Sequence, residues 1–275
     1  MRLIGKVVVI TGASMGIGEA LAKKFVEQGA SVVLSSRDRS RAEAARGRVG
    51  YLERTLAAAC DVRYRQQIEQ LLQAALDQFG HVDIWVNNAG HGLQDSVAHM
   101  DMQQCREMFD TNLFGATEAM QVVIPVMQKQ GKGTIINISS IAGYIAVPYM
   151  AAYCATKHAL NAIGKAARVE LLGTGVHVMT VCPGYIATDF AANSVKGKDR
   201  QRLNRAAGGI SPERVANAVF KAYLNHKREI VVPWRDRFTI ALYRLWPSLA
   251  ESAMKRMLRP ADEVTAEAEA SKRGT

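Results

Sequence analysis

The sequence predicts an α/β fold: a doubly wound, mostly parallel seven-stranded sheet with helices on both faces, in a single domain. Three observations predict it. Seven short apolar runs, most of them rich in Val and Ile, alternate with stretches of helical periodicity along the chain. The first run, Lys6 to Ile10 (KVVVI), is apolar at every position after Lys6, as a strand buried on both faces must be. The marked turns, residues 11–18, 36–37, 61–62, 87–90, 139–140 and 183–188, all fall at carboxyl ends of predicted strands, where such sheets bind ligands.

The elements follow in order. After the first strand comes Thr11-Gly12-Ala13-Ser14-Met15-Gly16-Ile17-Gly18, then a helix from about Glu19 to Gln28 with Leu21, Ala22, Phe25 and Val26 on its apolar face. Strand, glycine turn and helix N-terminus together present backbone N–H groups to a phosphate. Ser31 to Leu34 is the second strand. Its end meets the adenosine ribose in dinucleotide sites, where an acid selects NAD and an arginine accommodates the extra phosphate of NADP. Here the strand runs into Ser35-Ser36-Arg37 with no acid before Asp38, so NADP(H) is favoured over NAD(H). Arg39 and Arg41 either help to hold that phosphate or are solvated helix residues. Thr55 to Cys60 is the third strand, ending at Asp61-Val62, and Gln66–Phe79 is a helix closed by Gly80. Val82 to Val86 is the fourth strand, followed by Asn87-Asn88-Ala89-Gly90. A long helix, Asp101–Lys129, carries Asn112 in its middle, where an amide that competes for backbone bonds is either tolerated or marks a local distortion.

Thr134–Ile138 is the fifth strand and breaks at Ser139-Ser140. The next helix, Tyr149–Leu172, places Tyr153 and Lys157 one turn apart on one face. An ammonium beside a phenol favours the phenolate, so Tyr153 is expected to have a lowered pKa and to serve as a general acid/base. Ser140 could hold a substrate oxygen against it. The bland alternative is a surface Tyr–Lys pair. Val176–Val181 is the sixth strand and ends at Cys182-Pro183-Gly184; Ser211-Pro212 opens a helix with a serine cap, and Glu229–Val232 is the last strand.

Composition bounds the function. The 275 residues suffice for a sizeable core. Four scattered cysteines and a start that runs straight into a strand point to a reduced, cytoplasmic protein, membrane-associated only through the extension described below. No histidine spacing suits a metal. The net charge of +10 suits an acidic cofactor or an anionic surface, and without a binding module it does not argue for nucleic acid.

Taken together, these residues resemble the short-chain dehydrogenase/reductase family, over residues 5 to about 232. Thr11-Gly12-x-x-x-Gly16-x-Gly18, Asn87-Asn88-Ala89-Gly90, Tyr153-x-x-x-Lys157 and Pro183-Gly184-x-Ile186-x-Thr188 are similar to its motifs. Ser140 stands thirteen residues before Tyr153, as in the family pattern. The resemblance implies a Rossmann-type fold, with Asn112, Ser140, Tyr153 and Lys157 as catalytic residues. It implies a cofactor held by Gly12, Ser14, Met15, Gly16, Ile17, Gly18, Ser36, Arg37, Asp61, Val62, Asn88, Ala89, Gly90, Tyr153, Lys157, Pro183, Gly184, Ile186 and Thr188. Many NADP-preferring members carry a basic residue where this chain has Met15. The implied reaction moves a hydride between nicotinamide and the carbonyl or alcohol of a mainly apolar small molecule, of steroid, retinoid, lipid or acyl thioester type. In that scheme Asn112 positions a water that links Lys157 to solvent. A homodimer or homotetramer is implied as well. The alternative is a non-catalytic dinucleotide sensor or scaffold on the same fold.

The substrate side is less legible. His91, Ser140, Tyr144 and Tyr149 are the candidates. The basic run Lys196–Arg205 is either a lid for an anionic substrate or a solvated loop. Residues 1–232 form the catalytic domain and 233–275 an amphipathic, basic extension. Within it Phe238, Leu242, Leu245 and Trp246 recur at helical spacing among arginines. Residues 234–259 are read either as a peripheral membrane contact or as a face packed over the pocket or against a second subunit.

Overall fold

The computed structural model describes residues 1–186, 194–197 and 209–257. Seven parallel strands form the main sheet: β1 (Val7–Ile10), β2 (Ser31–Ser36), β3 (Thr55–Ala59), β4 (Ile84–Asn87), β6 (Gly133–Ile138), β7 (Val176–Pro183) and β9 (Glu229–Val232). A small second sheet pairs β5 (Leu93–Gln94) with β8 (Val195–Lys196). The main sheet runs β3-β2-β1-β4-β6-β7-β9, with every neighbouring pair parallel. The chain winds outward from β1 in one direction, then returns to β4 and winds in the other. The switch point between β1 and β4 is where such sheets open a crevice for a ligand.

Period-two alternation sorts the strand side chains into two cores. Val8, Ile10, Val32, Leu34, Ile136 and Val181 pack on one face against Leu21 and Phe25 of α1 (Gly16–Glu27) and Val215 and Val219 of α7 (Pro212–Leu224). Val9, Val33, Trp85, Ile135 and Val178 pack on the other against α3 (Arg65–Phe79), α5 (Gly115–Lys129) and α6 (Ala151–Glu170). The remaining helices are α2 (Arg39–Val49), α4 (Met102–Phe109), α8 (Asp236–Leu245) and α9 (Pro247–Met257).

Among the boundaries that differ from the sequence reading, four bear on the site. β2 continues through Ser35 and Ser36, because β3 supplies Ala58 and Ala59 as ladder partners. α1 begins at Gly16, not Glu19, so the last two glycines of the turn lie in its first turn. The long helix is broken into α4 and α5 by a π-helical turn, Asp110–Phe114, that contains Asn112. α6 starts at Ala151, because Tyr149 is left-handed (φ +61°).

Candidate active site

The glycine turn is built by close approach. Gly12 has φ +63°, and a Cβ there would lie 2.8 Å from the Cα of Ala89. A Cβ on Gly18 would come within 2.5 Å of both the Asn88 amide and the Gly12 carbonyl. Asn88 Nδ2 donates to the carbonyls of Thr11 (2.9 Å) and Gly12 (2.8 Å). Thr11 Oγ1 accepts from the N–H groups of Asn88 (3.0 Å) and Ala89 (3.1 Å). The ends of β1 and β4 are thereby tied together at the switch point. Asn88 acts here as a brace for the turn, and Thr11 is its counterpart. Arg48 adds a second brace, donating to the Ser14 carbonyl (3.0 Å) and to Glu19 (2.7 Å). The Met15 side chain makes no capping bond to α1, so a phosphate can meet the first-turn N–H groups beside Gly16, Ile17 and Gly18.

At the end of β2, Ser36 is buried and Arg37 exposed. Asp38, the nearest acid, caps α2 by accepting from the Ser40 N–H (2.7 Å). The Arg41 guanidinium lies 3.6 Å from the Met15 sulfur. Arg41 thus brings a cation beside Met15. Arg41 is an exposed residue of α2, and both sequence readings of it, a phosphate helper and a solvated helix residue, fit that placement. Asp61 is gripped by Arg63, with Nη2 2.6 Å from Oδ2. Burial pushes the Asp61 carboxyl up, but the Arg63 hydrogen bonds outweigh it and hold the carboxyl below its ordinary range. Val62 is buried under Gly115, whose missing side chain makes room for it.

Four side chains meet below this cleft. Asn112 is buried; its Oδ1 accepts from the His91 N–H (2.9 Å) and its Nδ2 donates to the His91 carbonyl (2.8 Å). Both ends of the amide therefore hold the His91 backbone. A Cβ on Gly90 would lie 3.0 Å from Asn112 Oδ1 and 3.7 Å from Lys157 Nζ, so the three groups are packed together. Lys157 Nζ donates to the Ile138 carbonyl at 3.0 Å. Ser140 caps a short 3-10 turn, accepting from the Ala142 N–H (3.1 Å) and donating weakly to the Pro183 carbonyl (3.4 Å). It also shares a side-chain hydrogen bond with Tyr153. The thirteen-residue spacing thus becomes a contact.

The surface-pair reading fails, since Tyr153 and Lys157 are 8% and 4% exposed. The expected lowered tyrosine pKa is also corrected. Burial raises the Tyr153 phenol, the Ser140 bond only partly opposing it, and lowers the Lys157 ammonium to about 8. The ammonium stands 5.7 Å from the centre of the Tyr153 ring, over its face, and desolvation governs both groups.

The substrate candidates separate. His91 is fixed by Asn112, and burial, with Arg37 and Arg63 nearby, lowers its imidazole pKa. Tyr149 is set by its left-handed backbone and by its carbonyl, which accepts from the Asp95 N–H (3.0 Å). The Tyr144 hydroxyl donates to Glu229 Oε2 at 2.5 Å, and its ring lies under Lys165 and Arg244. It ties the turn after β6 to β9, the edge strand of the sheet. Gly184 follows the end of β7, its N–H donating to Val232 (2.8 Å), and Ile186 bridges to Ile210. Thr188 and residues 198–205 of the basic run lie outside the described residues. Among the described residues, no group of three or more His, Cys, Asp or Glu converges as a metal site would require.

A short chain dehydrogenase family model matches residues 6–199. The chain belongs to this family. As a short-chain dehydrogenase it is 36% identical over 232 residues to the ketoacyl reductase HetN of Nostoc sp., covering 84% of this chain and 79% of that one. A short-chain dehydrogenase/reductase from Burkholderia phymatum, solved in complex with NAD, superposes with TM-score 0.84 at 26% identity, covering 90% of this chain and 96% of the other. A metagenomic short-chain oxidoreductase in complex with NADP superposes with TM-score 0.70 at 30% identity, covering 84% and 98%.

Proposed function

We propose that this short-chain dehydrogenase is an NADP(H)-dependent oxidoreductase acting on the carbonyl or alcohol group of a mainly apolar substrate. The observation that carries the reading is the buried meeting of Asn112, Ser140, Tyr153 and Lys157 below the switch-point crevice. A sensor has no use for that set, whereas carbonyl chemistry uses each member.

The residues fit a dinucleotide. Gly12 and Gly18 leave no room for side chains, and the uncapped start of α1 offers its N–H groups to a phosphate. Arg37 follows Ser36, where a 2′-phosphate would need a cation, Arg41 lies beside Met15, and Asp38 is engaged in its cap. Both NAD and NADP occur in structural neighbours, so the preference rests on these two arginines. When bound, the cofactor supplies or accepts the hydride.

The chain's own groups manage the proton. A raised phenol pKa keeps Tyr153 protonated, ready to donate to a developing alkoxide and, in reverse, to take the proton back. Ser140, already bonded to Tyr153, can exchange its long bond to the Pro183 carbonyl for one to the substrate oxygen. Lys157, poised near 8, places a cation under the site without fixing it there. Asn112 is a positioning residue: it holds His91, and with it Gly90, against Lys157. The ketoacyl reductase relative supports an acyl thioester as one member of the apolar substrate class.

The test is steady-state turnover on a panel of steroids, retinoids, quinones and β-ketoacyl thioesters with both cofactors. Charge-assisted contact to the phosphate is worth about 1.5–3 kcal/mol, so NADPH is expected to be preferred at least about tenfold in kcat/KM. Tyr153→Phe is expected to bind NADPH normally yet lose about two to four orders of magnitude in rate. Near-normal kcat in that variant, or no turnover on any carbonyl, overturns the reading.

A further inference from the structure

We propose that α8 and the start of α9 form a docking surface for an anionic lipid bilayer. The proposal stands whether or not the site below turns over the substrates named above.

α8 has two faces. Its inner face carries Ile240, which is buried against Cys182 and Val231. Arg237 and Arg244, one turn either side of Ile240, border a pocket of about 230 Å³ shared with Tyr144, Lys165 and Glu229. The single carboxylate in that pocket is already engaged by the Tyr144 hydroxyl and by Lys165 (3.8 Å). Its outer face carries Phe238, Leu242 and Leu245 at i, i+4 and i+7. Trp234 extends the stripe, its ring centre 5.6 Å from that of Phe238, and Trp246 and Leu249 continue it past the end of α8. These six large apolar side chains are between 38% and 66% exposed. The fold has therefore seated the helix by its opposite face and left the stripe to water, where a run of this size marks a binding surface.

Charge selects the occupant. Residues 234–256 hold five cations, Arg235, Arg237, Arg244, Lys255 and Arg256, against the two acids Asp236 and Glu251. All five are exposed; Arg237 and Arg244 border the inner pocket, whereas Arg235, Lys255 and Arg256 lie outside it. Asp236 is turned inward onto Gly184, and burial raises its carboxyl pKa. A second copy seated on the stripe by two-fold symmetry would bring these cations face to face. An anionic lipid surface complements them, with Trp, Phe and Leu entering the acyl boundary and guanidinium groups meeting phosphodiesters. Among the described residues no helix is long and apolar enough to cross a membrane, so the contact lies in the interface plane.

The full-length protein is to be sedimented with vesicles of phosphatidylcholine alone and of phosphatidylcholine with phosphatidylserine. Binding is expected to the anionic vesicles, weakly or not at all to the neutral ones, and to fall as salt shortens the screening length. The variant F238S/L242S/L245S changes only exposed side chains, so its thermal melt and cofactor titration should match the parent while vesicle affinity drops about tenfold or more. Arg235→Glu with Lys255→Glu should lose the anionic preference. No sedimentation at low salt, or unchanged sedimentation of the triple serine variant, overturns the proposal. So does light scattering that shows the triple variant as a smaller oligomer while neither protein binds vesicles, because the stripe is then a subunit interface.

Discussion

Burial lowers the Lys157 ammonium from 10.5 to about 8, and this couples the active site to stability. Between those values the unfolded chain binds more protons than the folded one, so stability rises with pH across the window. Below about pH 8 the folded protein carries the full desolvation penalty of a buried cation. Lys157→Met removes that penalty. The cofactor-free variant is expected to melt higher than the parent near pH 7, with the gain fading as pH approaches about 10.5. Thermal melts across that range check it; a variant that melts lower at every pH would show that the bond to Ile138 outweighs desolvation. The spacing of Ser140, Tyr153 and Lys157 is visible in the sequence. The direction of their pKa shifts is not, because it depends on how much water the surrounding elements exclude.

The π-turn between α4 and α5 shows how an element serves the site. One extra residue in that turn distorts the helix at Asn112. The Asn112 amide meets the His91 backbone at 2.8 and 2.9 Å, and so latches the end of β4 to the helix. A mid-helix asparagine was the sequence signal, and it could be read either as tolerated or as a distortion. Asn112→Ala leaves the His91 N–H and carbonyl without these partners, at a cost of about 1–3 kcal/mol. The expected result is a lower denaturation midpoint together with a fall in kcat, as Gly90 loses its support beside Lys157. A change in midpoint alone would make the latch purely structural.

Across the whole molecule, the stretch after Val232 is part of the sheet's cover as well as an extension. Ile240 closes over Cys182 and Val231, and Asp236 abuts Gly184 at the end of β7. Ile240→Ala is expected to destabilise by about 2 kcal/mol or more, read as a shift in urea midpoint. No shift would mean that α8 is merely tethered. The sequence by itself determined the order and type of the main elements, the glycine turn, and the spacing of the proposed site residues, because those follow from local periodicity and short spacings. Only the tertiary structure decided which way the ambiguous side chains turn. Tyr144 bonds Glu229, 85 residues away. Arg41 reaches Met15 across two helices' ends. Phe238, Leu242 and Leu245 face outward because Ile240 takes the inner place. A side chain's partner and its burial are set by segments distant in the chain, and no local pattern encodes which of those segments will arrive beside it.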